Sequence, residues 1–361
     1  MSAVSRSTLA EELPSAVHAV LAAFAVGNRI SPLAFADAFR GAVGLAAPTR
    51  DVVLGSLMTA VMARGPVADD VVALLHAALD MDGATPRPVI SGNDRPTIML
   101  AGSGKKGVRT VNVSTPAALV AAAAGAQVIK VGSSATSSTL GSRDLVRALG
   151  LREQRTAAGV RAELAATGFA FVAVEPEIPA LDRLYGGRFH VPNPFSFGLG
   201  ALASPVRADV ALFGLAHPRV DVAAETLARF GFAELDVVAT RLPSGHYLDE
   251  IVPQGVRKWC SVRGGTVGPT MDDPTTDLYA EFSALPTPSG PIQAVERTVE
   301  LLAGQGIPSH RVLVATNAAH LLVLSGVAPS TSAGFAIADD ILHTDEALRC
   351  ANQSQLAGRS A

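Results

Sequence analysis

The chain has 361 residues, 48% of them hydrophobic and 17% charged, with a formal net charge of −3. That length allows one large domain or two, and the mild acidity leaves no basic excess for nucleic-acid or membrane-surface binding. Its two cysteines, Cys260 and Cys350, lie far apart without a metal-ligand spacing, which argues against a disulfide framework and fits a reducing, cytoplasmic compartment. The first residues lack a basic segment leading into a signal-length apolar run. No uncharged apolar run reaches the ~20 residues of a membrane span.

Residues 8 to 83 carry apolar positions at helical spacing, in LPSAVHAVLAAFAVG, SPLAFADAFRGAV, TRDVVLGSLMTAVMARG and VADDVVALLHAALDMDG. Ser31-Pro32, Pro48-Thr49 and Gly65-Pro66 punctuate them as helix starts and stops. A turn-rich link follows from Gly83 to Pro96. The pattern then changes to short apolar runs (TIMLA, AQVIKVG, FAFVAV, ADVALFGLA, LDVVAT and RVLVATN) alternating with helical stretches, which signals an α/β sheet. A polar stretch from Leu181 to Asn193 interrupts it. The expected architecture is α/β: a small all-α N-terminal domain over residues 1–90, completed by a segment near 175–192, on a larger α/β domain over residues 91–361 with a mostly parallel central sheet.

The chemistry concentrates between Ala101 and Gly150. The strand TIMLA ends in Gly102, Ser103 and Gly104, where backbone can turn sharply and approach a ligand, followed by Lys105 and Lys106. The run matches neither the Walker nor the Rossmann fingerprint; alone, it reads equally well as a surface turn. Thr110, Asn112, Ser114 and Thr115 precede a helix expected to begin at Pro116, with Ser114 or Thr115 as its N-cap. Lys130 then stands at a strand end, followed by the hydroxyls of Ser133, Ser134, Ser137 and Ser138. Three such loops at successive strand-to-helix junctions converge on one edge of a parallel sheet, where backbone N–H groups and cations suit a polyanion. Further on, Asp249 and Glu250 follow a Gly-containing turn. Such a pair is ordinarily a solvated one, but beside a polyanion site it suits Mg²⁺.

In one register these segments resemble the anthranilate phosphoribosyltransferase family, whose fold class includes the pyrimidine nucleoside phosphorylases. The family's GTGGD, TxNxST and KHGNR…SSxSG stand here as GSGKK, TVNVST and KVGSS…SSTLG. GSLMTAVMARGPVADDVVALLHAALDM resembles the family's last small-domain helices, GLAHP its strand followed by His217-Pro218, and SGHYLDEIVP its acidic motif. The resemblance covers about residues 10 to 350. It implies a homodimeric enzyme that takes phosphoribosyl pyrophosphate as donor. Gly102, Ser103, Gly104, Lys105, Lys106, Thr110, Asn112, Ser114, Thr115, Lys130, Ser137 and Ser138 would hold the donor, and Asp249, Glu250 and Ser114 would hold Mg²⁺.

The acceptor side departs from the family. Ser133 and Ser134 replace its Asn and Arg, no His stands where its HPAM segment falls, and Glu175, Glu177 and Asp182 gather there instead. Arg188 takes the place of an acceptor-binding Arg, and Phe197 that of an Asn. An anionic acceptor would be repelled by such carboxylates and a cationic one favoured. The expected acceptor is therefore a small polar, cationic molecule other than anthranilate, such as the hydroxyl of a neamine-like aminoglycoside in antibiotic biosynthesis. Glu177, Glu175 and Asp182, in that order, are general-base candidates for such a hydroxyl, and Ser133, Ser134, Glu175, Glu177 and Arg188 are the expected acceptor residues. Alternatives are anthranilate itself, as in tryptophan biosynthesis, and a non-catalytic nucleic-acid-binding relative, which the net charge disfavours.

Overall fold

The computed structural model describes residues 12–83, 87–104, 107–135, 139–186, 188–275 and 284–357. Four helices come first: α1 (Ser15–Ala25), α2 (Pro32–Val43), α3 (Thr49–Arg64) and α4 (Ala68–Leu79). Their punctuation follows the sequence. Ser31 Oγ accepts the Ala34 N–H at 3.2 Å, with Pro32 opening α2 behind it. Gly65, at φ +91°, ends α3. Each helix turns an apolar stripe inward, that of α2 being Phe35, Ala36, Ala38, Phe39 and Ala42.

Beyond the link come β1 (Val89–Ile90), β2 (Thr97–Gly102), α5 (Ser114–Ala123), β3 (Gln127–Gly132), α6 (Ser142–Ala148), α7 (Ala157–Thr167), β4 (Phe169–Ala173), α8 (Pro179–Tyr185) and α9 (Leu199–Leu202). Then follow β5 (Arg207–Ala208), β6 (Val210–Gly214), α10 (Val220–Arg229), β7 (Leu235–Arg241), β8 (Tyr247–Leu248), β9 (Gly255–Arg263) and β10 (Thr266–Thr275). The chain closes with α11 (Pro291–Leu302), α12 (Pro308–Leu324), α13 (Thr331–Ile341) and α14 (Glu346–Ala357). The main sheet runs β10-β9-β7-β6-β2-β3-β4, with β8 paired to β7, and β1 pairs with β5 in a separate ribbon. From β4 to β7 it is parallel; β9 and β10 extend it as an antiparallel edge. Winding goes from β2 to β3 and β4 on one side and to β6 and β7 on the other. The carboxyl ends of β2 and β6 thus flank a switch point, where an open α/β sheet forms a crevice.

Alternation within each strand separates two cores. Met99, Ala101, Ile129, Val131, Ala170 and Val172 face the layer that contains α1–α4, whereas Ile98, Leu100, Val128, Phe169 and Phe171 face α5 and α12. Two expectations need correction. RVLVATN lies inside the helix α12 and is not a strand, because α12 is buried around most of its circumference and its apolar run hides the helical period. Helix α5 begins at Ser114 with Val113 at its N-cap position, and the side chain that satisfies its first turn is Asn112, whose Oδ1 accepts the Thr115 N–H at 3.2 Å.

Candidate active site

At the switch point, two glycines make room for a carboxylate. Gly102 ends β2 and pairs with Gly214 at the end of β6. A Cβ on Gly214 would fall 1.9 Å from the Asp249 carbonyl oxygen, and one on Gly102 would fall 3.0 Å from Asp249 Oδ2. Gly104, at φ +61°, turns its N–H onto the same Oδ2 at 2.7 Å. Ser103 secures the turn: its N–H donates to Gly214 O at 2.8 Å, and its hydroxyl accepts the Ala216 N–H at 2.9 Å. The first loop is therefore built onto β6 and Asp249 before any ligand arrives.

The acidic pair follows β8 and is clamped from two sides. Thr240 Oγ1, on β7, donates to Glu250 O at 2.7 Å and accepts the Val252 N–H at 3.2 Å. Asn317, on α12, accepts the Ile251 N–H at 3.0 Å and donates to Ile251 O at 2.8 Å. Neither clamp is evident from the sequence, where RVLVATN looks like a strand; an Asn or Thr inside an apolar run is the available signal.

Asp249 and Glu250 border a first cleft with Gly102, Gly104, Thr110, Asn112, Ser114 and Lys130. The Thr110 hydroxyl is buried there without a hydrogen-bond partner among the described residues. Lys130 is only 3% exposed and its Nζ donates to Val131 O at 2.6 Å, placing a cation in the cleft's floor. Thr115 is fully buried behind the rim. Among the described residues no group of three or more His, Cys, Asp or Glu could hold a metal. Two carboxylates suffice for Mg²⁺ when water and phosphate oxygens complete its octahedron, so the acidic pair fits that ion only in company with a phosphorylated ligand.

A second cleft adjoins the first and shares Gly102, Gly104 and the Val131–Ser134 edge. Glu175 and Asp182 line it, together with Arg143, Tyr185 and Phe195. Burial pushes the Tyr185 phenol up to about 12, so it stays protonated beside Asn193, whose Nδ2 donates to it at 3.1 Å. The Asp182 carboxyl is raised from the ordinary carboxylate range, first by burial and then by Glu175. Glu177 does not line either cleft: it lies among Arg87 and Arg155, and burial raises its carboxyl. Arg188 is 44% exposed and ion-pairs with Asp51 of α3 at 3.1 Å, also away from both clefts. The sequence expects both on the acceptor side, and neither is among the residues that line the two clefts. Lys105, Lys106, Ser137 and Ser138 lie outside the described residues.

The model of the glycosyl transferase family, a/b domain, matches residues 95–348. The anthranilate phosphoribosyltransferase of Pyrobaculum aerophilum is 31% identical over 301 residues, covering 83% of this chain and 86% of that protein. The chain belongs to the anthranilate phosphoribosyltransferase family. As a member it is a glycosyltransferase of the pentosyl-transferring class. The enzyme of that name from Shewanella amazonensis is 29% identical, covering 82% of this chain and 85% of that protein. The crystal structure of anthranilate phosphoribosyltransferase from Thermus thermophilus superposes with a TM-score of 0.68 at 26% identity, covering 94% of this chain and 99% of that one. The Saccharomyces cerevisiae enzyme in complex with PRPP and Mg shares the family fold, with a TM-score of 0.71 at 19% identity, covering 97% and 99%. The mixed α/β architecture with a mostly parallel central sheet is thus that of the family.

Proposed function

We propose that the first cleft binds phosphoribosyl pyrophosphate with Mg²⁺ and that the second presents an acceptor to its anomeric carbon. The observation carrying this reading is the shared edge. A cleft with Lys130, the N-terminus of α5 and the Asp249-Glu250 pair opens directly into one of separate chemistry. Breaking the anomeric C–O bond leaves the electron pair on pyrophosphate while the acceptor's lone pair forms the new bond and its proton departs. Lys130 and the positive end of α5 would stabilise the charge growing on the leaving group. Thr110 and Ser114 would orient the phosphates, and Asp249 and Glu250 would hold the ion. Mg²⁺, when bound, neutralises charge on the pyrophosphate oxygens.

The names of the curated relatives support anthranilate as the acceptor. The lining of the second cleft supports a different, uncharged or cationic acceptor such as an aminoglycoside hydroxyl. Arg143 is already paired with Glu153 and Glu175 there, and the Asp182 carboxylate makes no hydrogen bond or ion pair among the described residues. For a hydroxyl acceptor, Asp182 is then the better-placed general base, with Glu175 engaged and Glu177 remote. Pyrophosphate release from the donor, measured with anthranilate and with neamine-like amines, distinguishes the two. Turnover of anthranilate alone establishes the first reading; release with amines and not anthranilate establishes the second. Absence of donor binding by calorimetry overturns phosphoribosyl transfer itself.

A further inference from the structure

The second cleft contains a receptor for a carboxylate, and one of the chain's own side chains fills it. One donor is the Ser134 N–H beyond β3, which donates to Glu175 Oε1 at 2.6 Å. The other is the guanidinium of Arg143 on α6, whose Nη1 lies 3.3 Å from Glu175 Oε2. All three residues line the cleft. Arg143 is rigidly held, since its Nε and Nη2 each donate to Glu153 at 2.8 Å, while Arg147 Nε donates to the same carboxylate at 2.7 Å. The loop is fixed as well: Ser133 O accepts the Arg143 N–H at 3.0 Å, and Asp144 Oδ2 accepts the Ala135 N–H at 2.7 Å. A planar guanidinium beside a backbone N–H, both pre-positioned, is the arrangement that recognises a carboxylate.

The two contacts differ in quality. The Ser134 bond is short, whereas Glu175 Oε2 is ion-paired but lacks an aligned hydrogen bond among the described residues despite its burial. Charge alone holds that half of the receptor. Glu153 and Asp144 also act on Arg143, but Glu175 is the carboxylate at its Nη1; without it, that edge of the guanidinium faces the cleft beside the Ser134 N–H with no partner carboxylate. Asp182, lining the same cleft, adds negative charge and no donor.

We propose that Glu175 is a specificity-determining residue: it occupies the carboxylate receptor made by Ser134 N–H and Arg143, and so selects against acceptors that carry a carboxylate. The inference rests on the reading of this site as a phosphoribosyl acceptor cleft. A carboxylate acceptor must displace Glu175 or lie beside it, and either costs binding; a neutral or cationic acceptor meets neither cost.

The test uses anthranilate as the carboxylate probe and 2-aminobenzamide as its neutral isostere, with dissociation constants measured by calorimetry in the full-length protein. Glu175→Gln removes the charge while keeping an acceptor for the Ser134 N–H, and Glu175→Ala opens the receptor. The preference for anthranilate over the amide should rise by about tenfold or more in both variants, the scale of losing one close like-charge contact. Adding Arg143→Met to Glu175→Gln should abolish the gain. An unchanged preference in both single variants, or a gain that survives loss of Arg143, overturns the inference. Binding of phosphoribosyl pyrophosphate is measured on the wild type alongside. If it is present while the preference stays unchanged, only the inference fails; if it is absent, the phosphoribosyl reading fails with it.

Discussion

Gly214 shows how much of this site rests on the absence of a side chain. Its Cα approaches the Asp249 carbonyl so closely that an added Cβ would sit 1.9 Å from that oxygen, and the contact is to backbone, which cannot rotate away. Gly214→Ala should therefore push the acidic turn off the end of β6 at a cost on the order of 1–3 kcal/mol. It should also weaken Mg²⁺-dependent donor binding more than it lowers the melting temperature. Calorimetric titration with the donor, with and without Mg²⁺, checks this, and undiminished binding would separate the glycine from the site. The sequence shows that glycines end both strands, but not that they meet across a strand pair. Glu175 and Glu177 teach the same lesson differently. They bracket Pro176 in a 3₁₀ turn, so one side chain reaches Ser134 and the other lies among Arg87 and Arg155. Nothing in EPE distinguishes them; only the loops packed on each side do.

At the scale of elements, α12 is the part that the sequence conceals. Residues Val312 to Ala319 are all buried, so no polar face marks the helix and RVLVATN passes for a strand. The strands themselves are readable as short apolar runs, buried on both faces and bounded by glycines and turn residues. Once α12 is a helix, the position of Asn317 makes sense, because its side-chain amide bonds both backbone groups of Ile251, directly after the acidic pair. Asn317→Leu keeps the approximate volume but leaves that buried N–H and C=O without their partner, at about 1–3 kcal/mol for an orphaned group. The expected result is a lower denaturation midpoint and a raised donor KM, with the acceptor KM less affected because Asn317 does not line the second cleft. Steady-state kinetics with each substrate varied in turn measure the split. Thr240→Val should act in the same direction, since its hydroxyl bonds the turn at Glu250 and Val252.

For the whole molecule, the same close packing that hides α12 sets a response to acid. His310 is fully buried and its pKa is pushed down to about 4, by burial first. Burial lowers His320 as well, to about 3, with the adjacent Arg257 guanidinium acting in the same sense. Unfolding exposes both rings and returns them to the ordinary value near 6.5. Between the two values the unfolded chain binds more protons than the folded one, so stability falls as pH drops. It is level well above pH 7 and declines from about 6.5 toward 4, at up to about 1.4 kcal/mol per pH unit for each ring. Carboxylates of opposite shift, such as Asp182 and Asp70, raised chiefly by burial, act against this decline nearer the carboxylate range. Urea denaturation at pH 7.5, 6.5 and 5.5 therefore isolates the histidine contribution. His310→Leu should flatten the slope below pH 6.5, with any loss at pH 7.5 limited to the ring's contact with the Asn112 backbone. A slope that survives both His310→Leu and His320→Gln would assign the acid response to other groups.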